Sequence, residues 1–281
     1  NTKMITLLGK PLGQSFAARM QNAGYEAAGL NMLYFYTEVD KDHLGDVVNG
    51  LRYMNFAGFA VTKPNKVRVL RYLDELDPLC KKMGASNTVV KTPEGKLIGY
   101  NTDGVGFYTS LVEEGKINVE ESTFFCFGAG GAGRAMCSVL AYHGAKKIYI
   151  TDFYEPCAES LVMDINENFA PVAELVHHGD YAKIAECNVV MNASGIGMGS
   201  TIGQTPMPVE HIQPGQFYFD ACYNPDKTQF LLNAEEKGCQ VLNGLGMSLY
   251  QGAAQIELWT GEKAPVEAMR KELMDILAES K

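Results

Sequence analysis

One stretch narrows the possibilities for this chain more than any other. Residues 124–127 (Phe-Phe-Cys-Phe) are a short apolar run, followed at once by Gly128-Ala-Gly130-Gly131-Ala-Gly133-Arg134 and then by a helical pattern reaching about residue 143. A lone G-x-G-x-x-G is weak, but strand, glycine turn and helix in this register describe a dinucleotide-binding βαβ unit. Gly128 suits the tight turn, Gly130 and Gly131 let the backbone approach a pyrophosphate, and Gly133 lets helix and strand pack closely. The helix start offers unpaired N–H groups to phosphate. The plain alternative is a glycine-rich turn that binds nothing. The next apolar run, 147–151, ends at Asp152, 19 positions after Gly133. That is near the ~20-residue spacing at which a carboxylate holds the adenosine ribose hydroxyls. Phe153, Tyr154 and Glu155 follow, with no Arg, Lys or Ser to receive a 2′-phosphate. Charge repulsion then predicts NAD in preference to NADP.

The rest of the chain alternates in the same way. Apolar runs at 4–9, 33–39 and 56–61 are separated by helical patterns, and Pro64 reads as a helix start leading to a helix over 67–76. Two β-branched runs flank Thr92-Pro93-Glu94-Gly95, the chemistry of a hairpin turn. Later strands are read at 189–192, 216–221 and 240–242, and 249–280 is helical in pattern. The expected fold class is α/β in two domains. Residues 1–105 plus 249–281 would form a substrate-binding, catalytic domain with a mostly parallel sheet, the C-terminal helices packing back on it. Residues 106–248 would form a Rossmann-type NAD(P)-binding domain.

Composition excludes several function classes. A net charge of −9 argues against nucleic acid or a polybasic membrane surface as partner, and no apolar stretch approaches the roughly 20 residues of a spanning helix. The start, Asn1 to Thr6, lacks a basic and apolar leader, although residues upstream of Asn1 are left open. Seven cysteines with no C-x-x-C spacing fit neither a disulfide framework nor a zinc site, so the expected setting is a reducing cytoplasm. No metal is expected. His177 and His178 sit in a polar loop, and Cys126 and Cys222 read as small core residues.

Two further segments place polar groups where apolar runs end. Val61-Thr62-Lys63-Pro64-Asn65-Lys66 leaves one strand, and Gly99-Tyr-Asn101-Thr-Asp103-Gly104 closes the hairpin. In open α/β sheets ligands bind beyond the carboxyl ends of strands. A Lys and an Asp meeting there would make a proton-transfer pair, the carboxylate holding the ammonium; a solvated Lys and a turn-capping Asp are the bland alternatives.

Taken together these segments resemble the shikimate dehydrogenase family over nearly the whole chain, from Gly9 to Gly261. Val61, Thr62, Pro64 and Lys66 match V-T-x-P-x-K; Gly84, Ala85, Asn87 and Thr88 match G-A-x-N-T; Gly99, Asn101, Thr102, Asp103 and Gly106 match G-x-N-T-D-x-x-G. Asn192, Ser194, Gly197 and Met198 follow in order, then Asp220, Tyr223, Pro225 and Thr228, then Gly244, Gly246, Met247, Gln251, Ala253 and Gln255. The resemblance implies an NAD(P)-dependent dehydrogenase acting on CH–OH, converting shikimate and 3-dehydroshikimate or relatives such as quinate, within aromatic amino-acid biosynthesis. It implies Lys66 and Asp103 as catalytic residues and Ser15, Thr62, Asn87, Tyr223 and Gln251 as substrate contacts. Cofactor contacts would include Asn192 and Ser194, with Gly246 and Met247 beside the nicotinamide.

The family's first motif departs here. It carries S-x-S, whose hydroxyls bind the substrate carboxylate, and this chain has Ser15 but then Ala17. Losing one donor to a buried anion costs about 1.5–3 kcal/mol if nothing replaces it. Either another group such as Lys63 receives the carboxylate, or the substrate is quinate or another cyclitol acid. A ligand or NAD sensor of the same fold is the non-catalytic alternative, and a methylenetetrahydrofolate dehydrogenase type is a second enzyme reading. The partner expected is a small cyclic hydroxy acid, with the chain a monomer or homodimer.

Overall fold

The computed structural model describes residues 1–12 and 16–279. Packing divides the chain into two compact units, Asn1–Val105 with Leu249–Lys281, and Gly106–Ser248.

The first unit runs β1 (Lys3–Gly9), α1 (Ala17–Ala27), β2 (Met32–Glu38), α2 (Leu44–Tyr53), β3 (Phe56–Val61), β4 (Glu75–Leu76), α3 (Pro78–Met83), β5 (Thr88–Lys91) and β6 (Leu97–Tyr100). The sheet order is β2-β1-β3-β5-β6-β4. β1 pairs in parallel with β2 and β3, and β3 meets β5 antiparallel, as does β5 with β6. The inner strands are apolar on both faces because both are covered: Ile5, Leu8, Phe59, Ala60 and Val61 are all buried. One core joins Leu8, Phe59 and Val61 to Leu44, Val48 and Leu51 of α2. α3 starts where Asp77 accepts hydrogen bonds from the Leu79 and Cys80 amides and Pro78 takes the first turn.

The expected helix over 67–76 is not there. The chain makes turns after Val61, one short 3₁₀ turn at Arg68–Tyr72, and then β4. Of that turn only Val69 is fully buried, with Tyr72 and Leu73 packing at the core's edge, too short an apolar stripe to hold a longer helix. Asn65, fully buried, instead ties the segment down by donating from its side chain to the Val39 carbonyl.

α4 (Thr102–Glu113) crosses the division at Val105. The second unit continues with β7 (Thr123–Phe127), α5 (Gly131–Tyr142), β8 (Lys147–Thr151), α6 (Glu155–Asn168), β9 (Ala173–Leu175), β10 (Val189–Asn192), β11 (Phe217–Asp220), α7 (Gln229–Glu236) and β12 (Gln240–Asn243). All its strand pairs are parallel, in the order β12-β11-β10-β7-β8-β9. Counted from β7 this is 3-2-1-4-5-6 read in reverse, the doubly wound dinucleotide-binding order, whose ligand crevice opens between the first and fourth strands. Phe125, Phe127, Val190, Tyr218 and Phe230 fill its core.

α8 (Leu245–Thr260) and α9 (Val266–Glu279) close the chain. The end of α8 and all of α9 pack on the first unit: Trp259 donates its indole N–H to the Val89 carbonyl, and Arg19 of α1 pairs with Glu272 and Glu279 of α9. Among the described residues no helix is long and apolar enough to cross a membrane.

Candidate active site

In the first unit, a cavity of about 140 Å³ opens beyond the carboxyl ends of β1 and β3. Its walls include Leu7, Ala17, Tyr34, Thr62, Lys66, Asn87, Asp103, Gln251 and Gln255. Lys66 arrives on the turn after β3, and its backbone carbonyl accepts from the Ser86 amide. Asp103 sits in the first turn of α4, where the positive end of the helix favours a carboxylate. The Lys66 Nζ donates to Asp103 Oδ2 at 2.7 Å. Their side chains are 31% and 18% exposed, so the pair is sheltered yet open to a ligand on one side.

Around this pair lies a polar network. Asn87 Oδ1 accepts from the Thr102 amide at 2.7 Å, from Thr102 Oγ1 at 3.1 Å and from Thr88 Oγ1 at 2.9 Å. Its carbonyl oxygen is fully committed, and its Nδ2 protons have no partner among the described residues. Gln255 Nε2 donates to Thr88 Oγ1, while Gln255 Oε1 accepts from Gln21 Nε2. Gln251 reaches Thr102 Oγ1 at 3.4 Å.

Lys66, Asp103, Thr62, Asn87 and Gln251 thus meet at one cavity. Other expected residues fall elsewhere. Ser15 lies outside the described residues. Lys63 is exposed and does not line the cavity; its carbonyl accepts from the Lys10 amide. Tyr223 is half-buried in the loop after β11 of the second unit. Two cavity residues escape sequence reasoning altogether: Tyr34 was hidden in an apolar strand, and Gln255 stood in a quoted motif without a role. The Tyr34 hydroxyl has no partner among the described residues, and burial pushes its pKa well above the usual phenol range, so it stays a hydroxyl.

The second unit holds a separate cavity of about 300 Å³, lined by Gly128, Gly130, Asp152, Phe153, His178, Ser194 and Ile196 among others. The turn has the shape a pyrophosphate needs. Gly128 has φ +99°, and a Cβ there would stand 2.6 Å from the Ser194 amide; a Cβ on Gly133 would stand 1.9 Å from the Gly128 carbonyl oxygen. In front of Gly130 and Gly131 there is open space. These residues fit a dinucleotide: a close backbone approach, then the free amides at the start of α5.

Asn192 is fully buried and shapes that cavity from behind. Its Nδ2 donates to the Ile196 carbonyl and both Asp220 oxygens, and its Oδ1 accepts from the Ser194 amide and hydroxyl. Asp220 also accepts from Thr228 Oγ1 at 2.6 Å and the Cys222 amide. Burial raises the Asp220 pKa, against those bonds, which lower it. Gly246 packs against Ser110 of α4 and Glu114 just past its end, and Met247 follows it in the first turn of α8; neither lines this cavity. Burial pushes the Cys222 thiol up to about 12, which suits a core residue rather than a nucleophile.

Asp152 is not a free carboxylate. Its Oδ2 accepts from the Ala129 amide at 2.7 Å and its Oδ1 from the Tyr154 amide at 2.8 Å. It braces the glycine turn through both oxygens, a structural role that spacing alone does not separate from a ribose contact.

Comparison with known proteins agrees with this geometry. The shikimate dehydrogenase substrate binding domain matches residues 7–89, and the shikimate 5′-dehydrogenase C-terminal domain matches residues 244–274. A shikimate dehydrogenase (NADP(+)) of Desulforamulus reducens is 40% identical over 97% of this chain and 94% of its own. The crystal structure of shikimate 5-dehydrogenase from Listeria monocytogenes with shikimate and NAD is 38% identical, with TM-score 0.92 over 97% of this chain and 96% of that one. A shikimate dehydrogenase in complex with NADP+ is 33% identical, with TM-score 0.92 over 98% and 96%. The expected preference for NAD is corrected by these relatives: those from Desulforamulus reducens and Moorella thermoacetica are designated NADP(+) enzymes, and NADP+ occupies one of the solved structures.

Proposed function

Because this chain belongs to the shikimate dehydrogenase family, and so is an oxidoreductase acting on CH–OH groups, we propose that it interconverts a ring hydroxyl and a ring ketone of shikimate or a close cyclic relative such as quinate, with NADP(H). The observation that carries this reading is the 2.7 Å pair of Lys66 and Asp103 on the wall of a small polar cavity. The first unit would serve as the substrate domain and the second as the dinucleotide domain.

The chemistry at Lys66 follows from its surroundings. In ketone reduction the ammonium gives a proton to the oxygen that becomes the hydroxyl; in the reverse direction the amine takes that proton back. Asp103 fixes where Nζ points. The dinucleotide, when bound, supplies or accepts the hydride. Gly128, Gly130, Gly131 and the first amides of α5 would hold its phosphates.

A cyclic acid needs donors for its carboxylate and hydroxyls, and the only cation on the described cavity wall is already paired with Asp103. The Tyr34 hydroxyl, the Asn87 Nδ2 protons and the Thr62 hydroxyl are the neutral groups placed to serve. Seven free cysteines support a reducing, cytoplasmic setting.

The test is turnover of shikimate and quinate, each with NADP+ and NAD+, followed at 340 nm. Lys66→Ala should lower kcat by about 10²–10⁴-fold. Near-normal turnover in that variant would remove Lys66 from the proton transfer and with it this reading.

A further inference from the structure

The adenosine end of the second cavity poses a question of charge. If NADP is the dinucleotide, as proposed above, its 2′-phosphate needs a cation. Yet no Lys or Arg is among the described residues lining that cavity. Arg134, the basic residue closest in sequence to the glycine turn, is held by Asp164 of α6. The wall past β8 is Asp152, Phe153 and, from the loop after β9, His178.

His177 and His178 differ sharply although adjacent. His177 Nδ1 is held by Glu155 at 3.2 Å. The His178 imidazole stands edge-on to the Phe153 ring, 5.4 Å between centroids and 78° between planes. Its ring nitrogens have no partner among the described residues; only its backbone amide is engaged, donating to Glu155 Oε1. The acids facing this corner are already committed. Asp152 accepts two backbone amides, Glu155 takes His177 and the His178 amide, and Asp180 accepts from the Ala182 amide.

We propose that His178 is the group that receives the 2′-phosphate of NADP in this protein, doing the work of an arginine or lysine that the cavity wall lacks. This rests on the NADP(H) reading of the preceding section. An imidazole carries charge only toward the acid side of the range between about pH 5 and 8. A phosphate monoester takes its second negative charge near pH 6 and keeps it above. The charged imidazole binds the phosphate, so NADP affinity is present at the acid end and is lost as pH rises. NAD, lacking the phosphate, has no such slope.

The experiment is calorimetric titration of the full chain with NADP+ and with NAD+ at pH 6.5 and pH 8.5, for the wild type, His178→Gln and His178→Arg. Wild-type NADP+ affinity should fall about five- to tenfold between the two pH values while NAD+ affinity stays level. His178→Gln should remove the slope and leave NADP+ weak at both, and His178→Arg should keep NADP+ tight at both. Equal weakening of both dinucleotides in His178→Gln would make His178 a mere wall for the base and overturn the proposal, as would an unchanged slope. Failure of the wild type to bind either dinucleotide would instead sink the underlying functional reading, and this proposal with it.

Discussion

The two cavities are built on opposite plans. The second unit's pyrophosphate cradle comes from one continuous stretch, β7, the glycine turn and the start of α5, with Asp152 bracing it from the next strand. The first unit's cavity draws its walls from β1, β2, β3, α4 and α8, and from residues as far apart as Leu7 and Gln255. A site written in one segment depends on backbone shape and tolerates no added atoms. A site gathered from many segments depends on side-chain pairing and tolerates adjustment.

The contrast can be broken at several points, and loss of Lys66 should be the largest effect on turnover. Next in size is Gly133→Ala. A methyl 1.9 Å from the Gly128 carbonyl must push the turn open, costing about 3 kcal/mol in urea unfolding and more than tenfold in dinucleotide affinity. Retained affinity there would show that the cradle is softer than its geometry.

Asp220→Asn comes third. It sets an amide against the Asn192 amide, and a stability loss of about 1–3 kcal/mol is expected with weaker dinucleotide binding. The sign of its pH effect is also fixed. Because burial raises the native pKa of Asp220, this group's contribution is greatest at low pH and declines as pH climbs from the free carboxylate's value through the raised one. The difference in Tm between wild type and variant, followed across that window, should therefore shrink as pH rises. Smallest is Ala17→Ser, which adds one hydroxyl to the cavity wall and should lower KM for shikimate roughly tenfold without changing kcat. An unchanged KM would mean that the neighbouring donors already satisfy the carboxylate.

The same contrast explains what was legible in the sequence. The glycine turn, the hairpin with its Thr92–Gly95 turn, and the Lys66 and Asp103 segments each carry their signal within a few residues, and each was readable. The helix over 67–76 was misread because Val67, Val69, Leu70 and Leu73 looked periodic, while only Val69 is fully buried, Leu73 packs at the core's edge and Val67 is exposed. At Asp152 the spacing reports position only: the backbone amides that occupy its oxygens come from the turn's three-dimensional path. Tyr34 was invisible because an apolar strand and a cavity wall look alike until the strand's neighbours are known.

The hydrogen bonds behind Asn87 have a sense of direction. From Gln21 on α1 through Gln255 on α8 and Thr88 on β5, every link hands a proton toward the next oxygen, and the run ends on the Asn87 carbonyl. An amide turned around at that terminus would set its N–H groups against the incoming donors, so the side chain is locked in one sense. The corner of the cavity that it guards is thereby polarised: it welcomes a lone pair and rebuffs an N–H or O–H. Selectivity at that corner is set by the donors behind Asn87, the Thr102 amide and the Thr88 hydroxyl.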